Sequence, residues 1–255
     1  MVCSVVALST LENQFVRFDL LSCRLFARGV EVRLTPHETA FLAFLALNAG
    51  GASREELSEQ FFAHLGDGAR NAIKVLVHRL REKIGQPSAI RYSEGRYSLD
   101  HSPAEELRAL EREVLLGDGA AVLEPALREK FVESRRRLRQ ARPKAFVDQA
   151  WFERTEWRLK LVEQSLAVRI ARDALASGDP CGALEYVADI VRSDLLDEDA
   201  TEIHMRANIR LGRRAEAVAE FERYLRAIAR ESGGKPAQHL RALLRNSRDG
   251  RAYTE

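Results

Sequence analysis

Arg70, Asn71, Lys74, His78, Arg79 and Arg81 fall within the twelve residues RNAIKVLVHRLR, with the apolar Val75 among them. Each of the six polar side chains can donate hydrogen bonds, and the cations among them can neutralise phosphate groups and release the counterions those hold. The charge continues past this stretch: from Arg70 through Arg96 seven Lys or Arg, including Arg91 and Arg96, stand against Glu82 and Glu94. The whole chain carries a net charge of only +2. A polyanion would therefore be met by this local patch rather than by the molecule as a whole.

The elements that must position these groups are legible around them. Ile73, Leu76, Val77, Leu80 and Ile84 recur with helical spacing and predict a helix from about Arg70 to Ile84 with one buried stripe. At helical rotation that stripe turns Asn71, Lys74, Val75, His78, Arg79 and Arg81 toward the flanks and the outside. Gly85-Gln86-Pro87 ends the helix, and residues 90–99, IRYSEGRYSL, read as a β-hairpin about Glu94-Gly95. Upstream, residues 15–34 are rich in β-branched and aromatic types and predict strands joined by a tight turn at Arg28-Gly29. Thr35, Pro36 and Glu38 form a capping box that opens a helix with Phe41, Phe44 and Leu45 on one face. A second box, Ser53 to Glu56, opens a short helix carrying Leu57 and Phe61. Strands, helix, helix, long amphipathic helix and hairpin follow in the order of a winged helix-turn-helix, whose third helix can lie in a DNA major groove.

From Pro103 the β signals stop, and charged, Ala- and Leu-rich helix follows, which predicts a domain boundary near residues 100–103. Gly178 and Ala183 recur 34 residues later as Gly212 and Ala217, the period of tetratricopeptide helix hairpins. The expected fold is mostly α with a small β component: a winged-helix DNA-binding domain over 1–100 and an all-α, tetratricopeptide-like repeat domain over 101–255.

LTPHETAFLAFLALNAGGASREELSEQFF, NAIKVLVHRLREKIG and IRYSEGRYSL together resemble the winged-helix output domain of OmpR-type response regulators. Residues 151–240 look like the bacterial transcriptional activator domain, and the pairing is that of the Streptomyces antibiotic regulatory protein family. The resemblance implies a cytoplasmic bacterial transcriptional regulator, ordinarily an activator. Its partners would be double-stranded DNA and RNA polymerase, and it would bind direct repeats as a head-to-tail homodimer. It places Arg79 and Arg81 in the family's R-L-R run, so that Arg79 would approach base edges, as Arg does at guanine O6 and N7, and Arg81 would grip phosphate. Asn71, Lys74, Val75 and His78 would tune the preferred sequence, Val75 by apolar contact with a thymine methyl, and Arg70 would add to the DNA-binding charge. Glu94-Gly95-Arg96-Tyr97 departs from the usual wing, one residue short and with one charge reversed, which leaves Arg91 and Arg96 as its contacts to the DNA backbone.

Other chemistries find no residues. At 255 residues, 45% apolar and 31% charged, the chain has a globular composition with no apolar run long enough to span a membrane and no leader-like opening. Cys3, Cys23 and Cys181 are scattered and read as small buried apolar residues. The six histidines lack metal-ligand spacing, and His204 reads as a satisfied core histidine. No phosphate loop, dinucleotide fingerprint or nucleophile elbow is present, so neither catalytic residues nor a cofactor nor a metal is expected. A receiver domain would need about 100 residues ahead of the winged helix. Residues 128–144 hold eight basic residues against two acidic ones, either a second phosphate contact or a solvated or packing helix. Trp151 and Trp157 lie six apart and point to core packing or to one interdomain contact. Two further readings stay open: a protein-interaction scaffold whose winged helix no longer binds DNA, and a ligand sensor using the helical groove.

Overall fold

The structure, a computed structural model, describes residues 16–48, 50–99, 103–116, 122–140, 150–231 and 236–246. The described residues fall into two compact units, 1–113 with 137–159 and 114–136 with 160–255. The boundary expected at 100–103 falls largely on residues 100–102, outside the described residues, as do Cys3 and His101.

The first unit opens with an antiparallel sheet of β1 (Val16–Asp19), β2 (Arg24–Ala27) and β3 (Val30–Val32). Arg28 and Gly29 both take positive φ, 53° and 75°, so the two-residue turn between β2 and β3 has the twist that suits paired strands. Helix α1 (Pro36–Leu47) begins at a complete capping box. The Glu38 amide donates to Thr35 Oγ1 at 3.3 Å, and Glu38 Oε2 accepts from the Thr35 amide at 2.7 Å. After strand β4 (Ala52–Ser53), helix α2 (Arg54–Phe61) repeats the device with Ser53 and Glu56. A 3-10 turn over Ala63–Gly68 leads into helix α3 (Ala69–Ile84), closed by left-handed Gly85. Strands β5 (Ile90–Ser93) and β6 (Arg96–Leu99) form the wing, and β4 joins them in the order β4-β6-β5.

The core explains why these elements hold their places. Phe41, Leu42, Leu45, Leu57, Ile73, Leu80 and Ile90 are each exposed by 2% or less. The stripe read from the α3 sequence is therefore the face buried against α1, α2 and the wing, and each such side chain contributes about 1.5–3 kcal/mol of apolar burial. Gly51 closes the sheet: a Cβ there would stand 2.7 Å from the Tyr97 carbonyl oxygen, so only glycine admits the β4 to β6 pairing.

The same unit takes in helix α4 (Pro103–Leu115) as far as residue 113, and the first turns of helix α6 (Ala150–Ala176). Trp151 meets Phe44 edge to face at 5.1 Å and Phe61 at 6.2 Å, whereas Trp157 is 64% exposed. Arg158 forks onto Glu111 at 2.9 and 2.6 Å. Arg137 forks onto the buried carboxylate of Asp19, which also takes the Ser22 hydroxyl and the Leu21 amide. Burial pushes the Asp19 carboxyl up, but Arg137 and these hydrogen bonds outweigh it and hold the group below the usual carboxylate range.

The second unit is helical: α5 (Pro125–Leu138, in this unit to residue 136), α6 from residue 160, α7 (Pro180–Val187), α8 (Ile190–Ser193), α9 (Glu198–Arg210), α10 (Arg214–Glu231) and α11 (Gln238–Asn246). The 34-residue offset is a repeated helix ending. Asp179 donates its amide to Ala174 O at 2.8 Å around Gly178, and Arg213 does the same to Asn208 O around Gly212. Ala183 and Ala217 are fully buried in equivalent places, where a larger side chain would hold the helices apart. His204 sits 3.2 Å from Glu220 Oε2 through Nδ1, and Asn208 lies 3.3 Å from the same nitrogen, the satisfied histidine that was expected. Burial lowers the His204 pKa and raises that of Glu220.

One expectation is corrected, that for Cys181, and of the two readings of the basic stretch the packing helix is the one found. Cys23 is buried, but Cys181 is exposed, because it lies in the first turn of α7 on the solvent side. The basic stretch does not present an open cationic face among its described residues. Arg128 pairs with Asp173, Arg135 with Glu163, Arg136 with Glu133 and Arg137 with Asp19, so it is a packing helix answered by carboxylates. Arg142 and Lys144 lie outside the described residues.

Candidate nucleic-acid interface

On α3 the buried Ala69, Ile73, Leu76, Val77, Leu80 and Ile84 leave the opposite side of the helix to solvent. Asn71, Lys74, Val75, His78 and Arg79 are exposed there, Val75 by 48%, and Arg70 is exposed at the margin of the buried stripe in the first turn. Among the described residues the side chains of Arg70, Asn71, Lys74 and Arg79 have no hydrogen-bond or ion-pair partner. His78 faces Glu82 one turn on, at 3.4 Å, with both side chains exposed. Such a pair holds little in water and gives way readily to a stronger acceptor. The result is an apolar residue ringed by cations and amide donors on the outside of a helix anchored through its inner face.

The remaining cations of the patch are engaged within the fold. Half-buried Arg81 donates from Nε and Nη2 to the Ile90 carbonyl at 3.1 and 2.6 Å. Lys83 reaches Glu38 Oε2 at 2.7 Å, so the carboxylate that caps α1 also anchors the end of α3. Burial pushes the Glu38 carboxyl up, and Lys83 with the Thr35 cap outweighs it, leaving the group below its ordinary range. Arg96 donates to the Gly50 and Gly51 carbonyls and to Glu56 Oε2, tying the wing to the start of α2. Arg91 is exposed on β5 and has a further interaction of its own.

The residue set expected from the sequence thus divides by task. Arg70, Asn71, Lys74, Val75, His78 and Arg79 are all exposed, while Arg81 and Arg96 act as struts between helix, turn and wing. Apart from Glu56, their acceptors are main-chain carbonyls, which carry no signature in the residue types. One further feature escaped the sequence reading. Arg54 lies over the ring of Tyr92, 4.4 Å from its centroid, and Tyr92 remains 41% exposed on the wing. Nothing in the spacing of residues 54 and 92 announces that contact.

The wing tip keeps its expected form. Ser93 pairs with Arg96, and Glu94 and Gly95 both take positive φ, 51° and 80°. The acidic side chain is exposed at the turn. Among the described residues no cluster of His, Cys, Asp or Glu could hold a metal ion, and no helix is long and apolar enough to cross a membrane.

Comparison with known proteins agrees with both halves of this reading. Residues 29–96 match the family described as transcriptional regulatory protein, C terminal, and residues 127–246 match the bacterial transcriptional activator domain. The response regulator protein PmrA of Pseudomonas aeruginosa is 38% identical over 80 residues, 31% of this chain and 36% of that protein. The transcriptional regulatory protein CutR of Streptomyces coelicolor is 35% identical over 81 residues, 31% of this chain and 37% of that protein. The chain therefore spans little more than a third of the length of these relatives. Mycobacterium tuberculosis EmbR, solved in complex with a low affinity phosphopeptide, superposes with a TM-score of 0.72 over 94% of this chain and 66% of its own, at 18% identity. That likeness is one of fold. The chain is an OmpR-type winged helix followed by a bacterial transcriptional activator domain, the layout it shares with Streptomyces antibiotic regulatory proteins.

Proposed function

We propose that this chain is a DNA-binding transcriptional regulator that reads the major groove with the outer face of α3. The observation that carries the reading is the set of unpartnered donors Arg70, Asn71, Lys74 and Arg79 around Val75, on a helix whose opposite face is core. Lys74 and Arg70 neutralise phosphates, Arg79 approaches base edges, and Val75 meets a thymine methyl. Arg91 supplies a phosphate contact from the wing. Arg81 and Arg96 act by positioning, since their guanidinium groups hold the helix and wing in register.

In this reading residues 1–100 are the DNA-binding domain and 101–255 the helical platform, which touches RNA polymerase and dimerises on direct repeats, with activation as the output. Binding of duplex DNA measured by fluorescence anisotropy across a salt series tests the central claim. A DNA reader weakens steeply between about 50 and 200 mM salt, in proportion to the phosphates it contacts. A protein-interaction scaffold, the reading favoured by exposed Glu94 at the wing tip, retains little duplex at any salt.

A further inference from the structure

The second unit holds a cleft that the DNA reading leaves unused. It lies between α10 and α11, has a volume of about 520 Å³, and is floored by Val218, Phe221 and Leu244. Around that floor stand Arg214, Arg241 and Arg245 with the Gln238 amide, and among the described residues no carboxylate lines it. The two helices present these residues one turn apart on facing sides, at 214, 218 and 221 on α10 and at 238, 241 and 245 on α11. The walls are fixed by the core beneath them, where Tyr224, Leu240 and Leu243 are buried and Phe221 and Leu244 pack against the cluster. Arg214 is held in place by donating to the Leu244 carbonyl at 3.2 Å.

Several guanidinium groups elsewhere in the unit are answered by carboxylates, Arg128 by Asp173, Arg135 by Glu163, Arg172 by Asp199, Arg206 by Glu202 and Arg223 by Glu220. Arg241 and Arg245 have no such partner among the described residues. An apolar floor beside the two cations Arg241 and Arg245 has the composition of a small-ligand site, mostly apolar with a few convergent polar groups, and its volume is of the usual size.

We propose that the cleft between α10 and α11 binds a small amphipathic anion: an apolar or aromatic body resting on Val218, Phe221 and Leu244, with a carboxylate or phosphate group taken by Arg241 and Arg245. A forked guanidinium matches either acid group with two parallel hydrogen bonds. Seven lining residues on two short helical faces suit a molecule of that size better than a whole helix laid along the surface.

The test uses the full chain without DNA, so its outcome is separate from that of the DNA reading. Naphthoate and naphthyl phosphate are titrated by fluorescence anisotropy, with neutral naphthol as a direct reference and inorganic phosphate as a reference measured by its displacement of naphthyl phosphate. Both naphthyl anions should saturate a single site, and each reference should bind about tenfold more weakly, the loss of one charged hydrogen-bonding group or of the apolar body. The ratio of the two anions identifies the preferred acid group. Arg241→Gln with Arg245→Gln should weaken both anions about tenfold with an unchanged circular dichroism spectrum. Phe221→Leu should weaken the naphthyl anions while leaving inorganic phosphate unaffected. Absence of saturation, naphthol binding as tightly as naphthoate, or a double variant with parental affinity would each overturn the proposal. So would an acidic helical peptide that displaces naphthyl phosphate at far lower concentration, which would mark the cleft as a protein-docking site. If the double variant loses its fold, the comparison of anions with references on the parent chain still decides.

Discussion

The Arg81 guanidinium donates from Nε and Nη2 to the carbonyl oxygen of Ile90, at 3.1 and 2.6 Å, and thereby joins α3 to the first strand of the wing. Two residues earlier on the same helix, Arg79 is exposed and has no side-chain partner among the described residues. Two arginines two residues apart therefore have opposite tasks: one fixes the element, and the other is left for what the element meets. Helical rotation turns both residues off the buried stripe, and the Ile90 carbonyl brought alongside Arg81 by the wing makes the difference.

Replacing these arginines should separate the tasks. Arg81→Ala loses a charge-assisted fork to a half-buried carbonyl, and we expect about 1.5–3 kcal/mol less stability, seen as a lower midpoint in chemical denaturation. At equal folded fraction its affinity should fall alike on all DNA sequences. Arg81→Lys, with a point charge in place of the planar fork, should lie between.

Arg79→Ala should leave stability within about 0.5 kcal/mol of the parent, as for most exposed positions. It should cost about 1–3 kcal/mol on the preferred sequence and relax the preference at one base pair. Lys74→Ala should instead weaken all sequences uniformly and reduce the slope of log affinity against log salt by about 1. Anisotropy titrations on preferred and random duplexes measure both. Equal binding by parent and Arg79→Ala on both duplexes would remove α3 as the reading element.

The wing tip offers a gain-of-function test. Glu94 occupies a left-handed position, φ 51°, in a two-residue turn that favours Asn-Gly. Glu94→Asn should stabilise the fold by about 1 kcal/mol, because Asn tolerates that conformation better than Glu. Removing a carboxylate from the rim of the proposed DNA-binding face should also tighten nonspecific duplex binding at low salt. A higher melting temperature with no gain in DNA affinity would place the wing away from the duplex.

Stability against acid should depend on Glu38. Its carboxyl is 1% exposed, with its pKa held below the ordinary value by Lys83 and the Thr35 cap in spite of burial. A depressed folded pKa means that the ionised form is preferred by the fold. The stabilisation is therefore complete above the unfolded value, near 4.5, and is lost as the pH falls through the lower folded value. Glu38→Gln should be less stable than the parent at neutral pH, and the difference should shrink as the pH falls into that range. Denaturation curves of both proteins at a series of pH values give the difference directly; a gap that stays constant down to pH about 2, well below the usual glutamate value, would exclude the carboxylate as its source.

Local patterns carried much of this protein in its residues alone. Capping boxes at Thr35 and Ser53, the α3 stripe from Ile73 to Ile84, the Glu94-Gly95 turn and the 34-residue offset of Gly178 and Gly212 are all written in contacts a few residues apart. Helical rotation and turn stereochemistry fix such features before any distant segment arrives. Which cations remain open was decided by the tertiary structure. Arg81 meets Ile90, Lys83 meets Glu38 across 45 residues, and Arg96 meets Gly51 across another 45. The same holds for Trp151 on Phe44, for Arg54 over Tyr92 and for the basic cleft between α10 and α11. A cation has the same charge whether it braces a carbonyl or faces solvent, and only the position of the acceptor, set by the packed core, distinguishes the two.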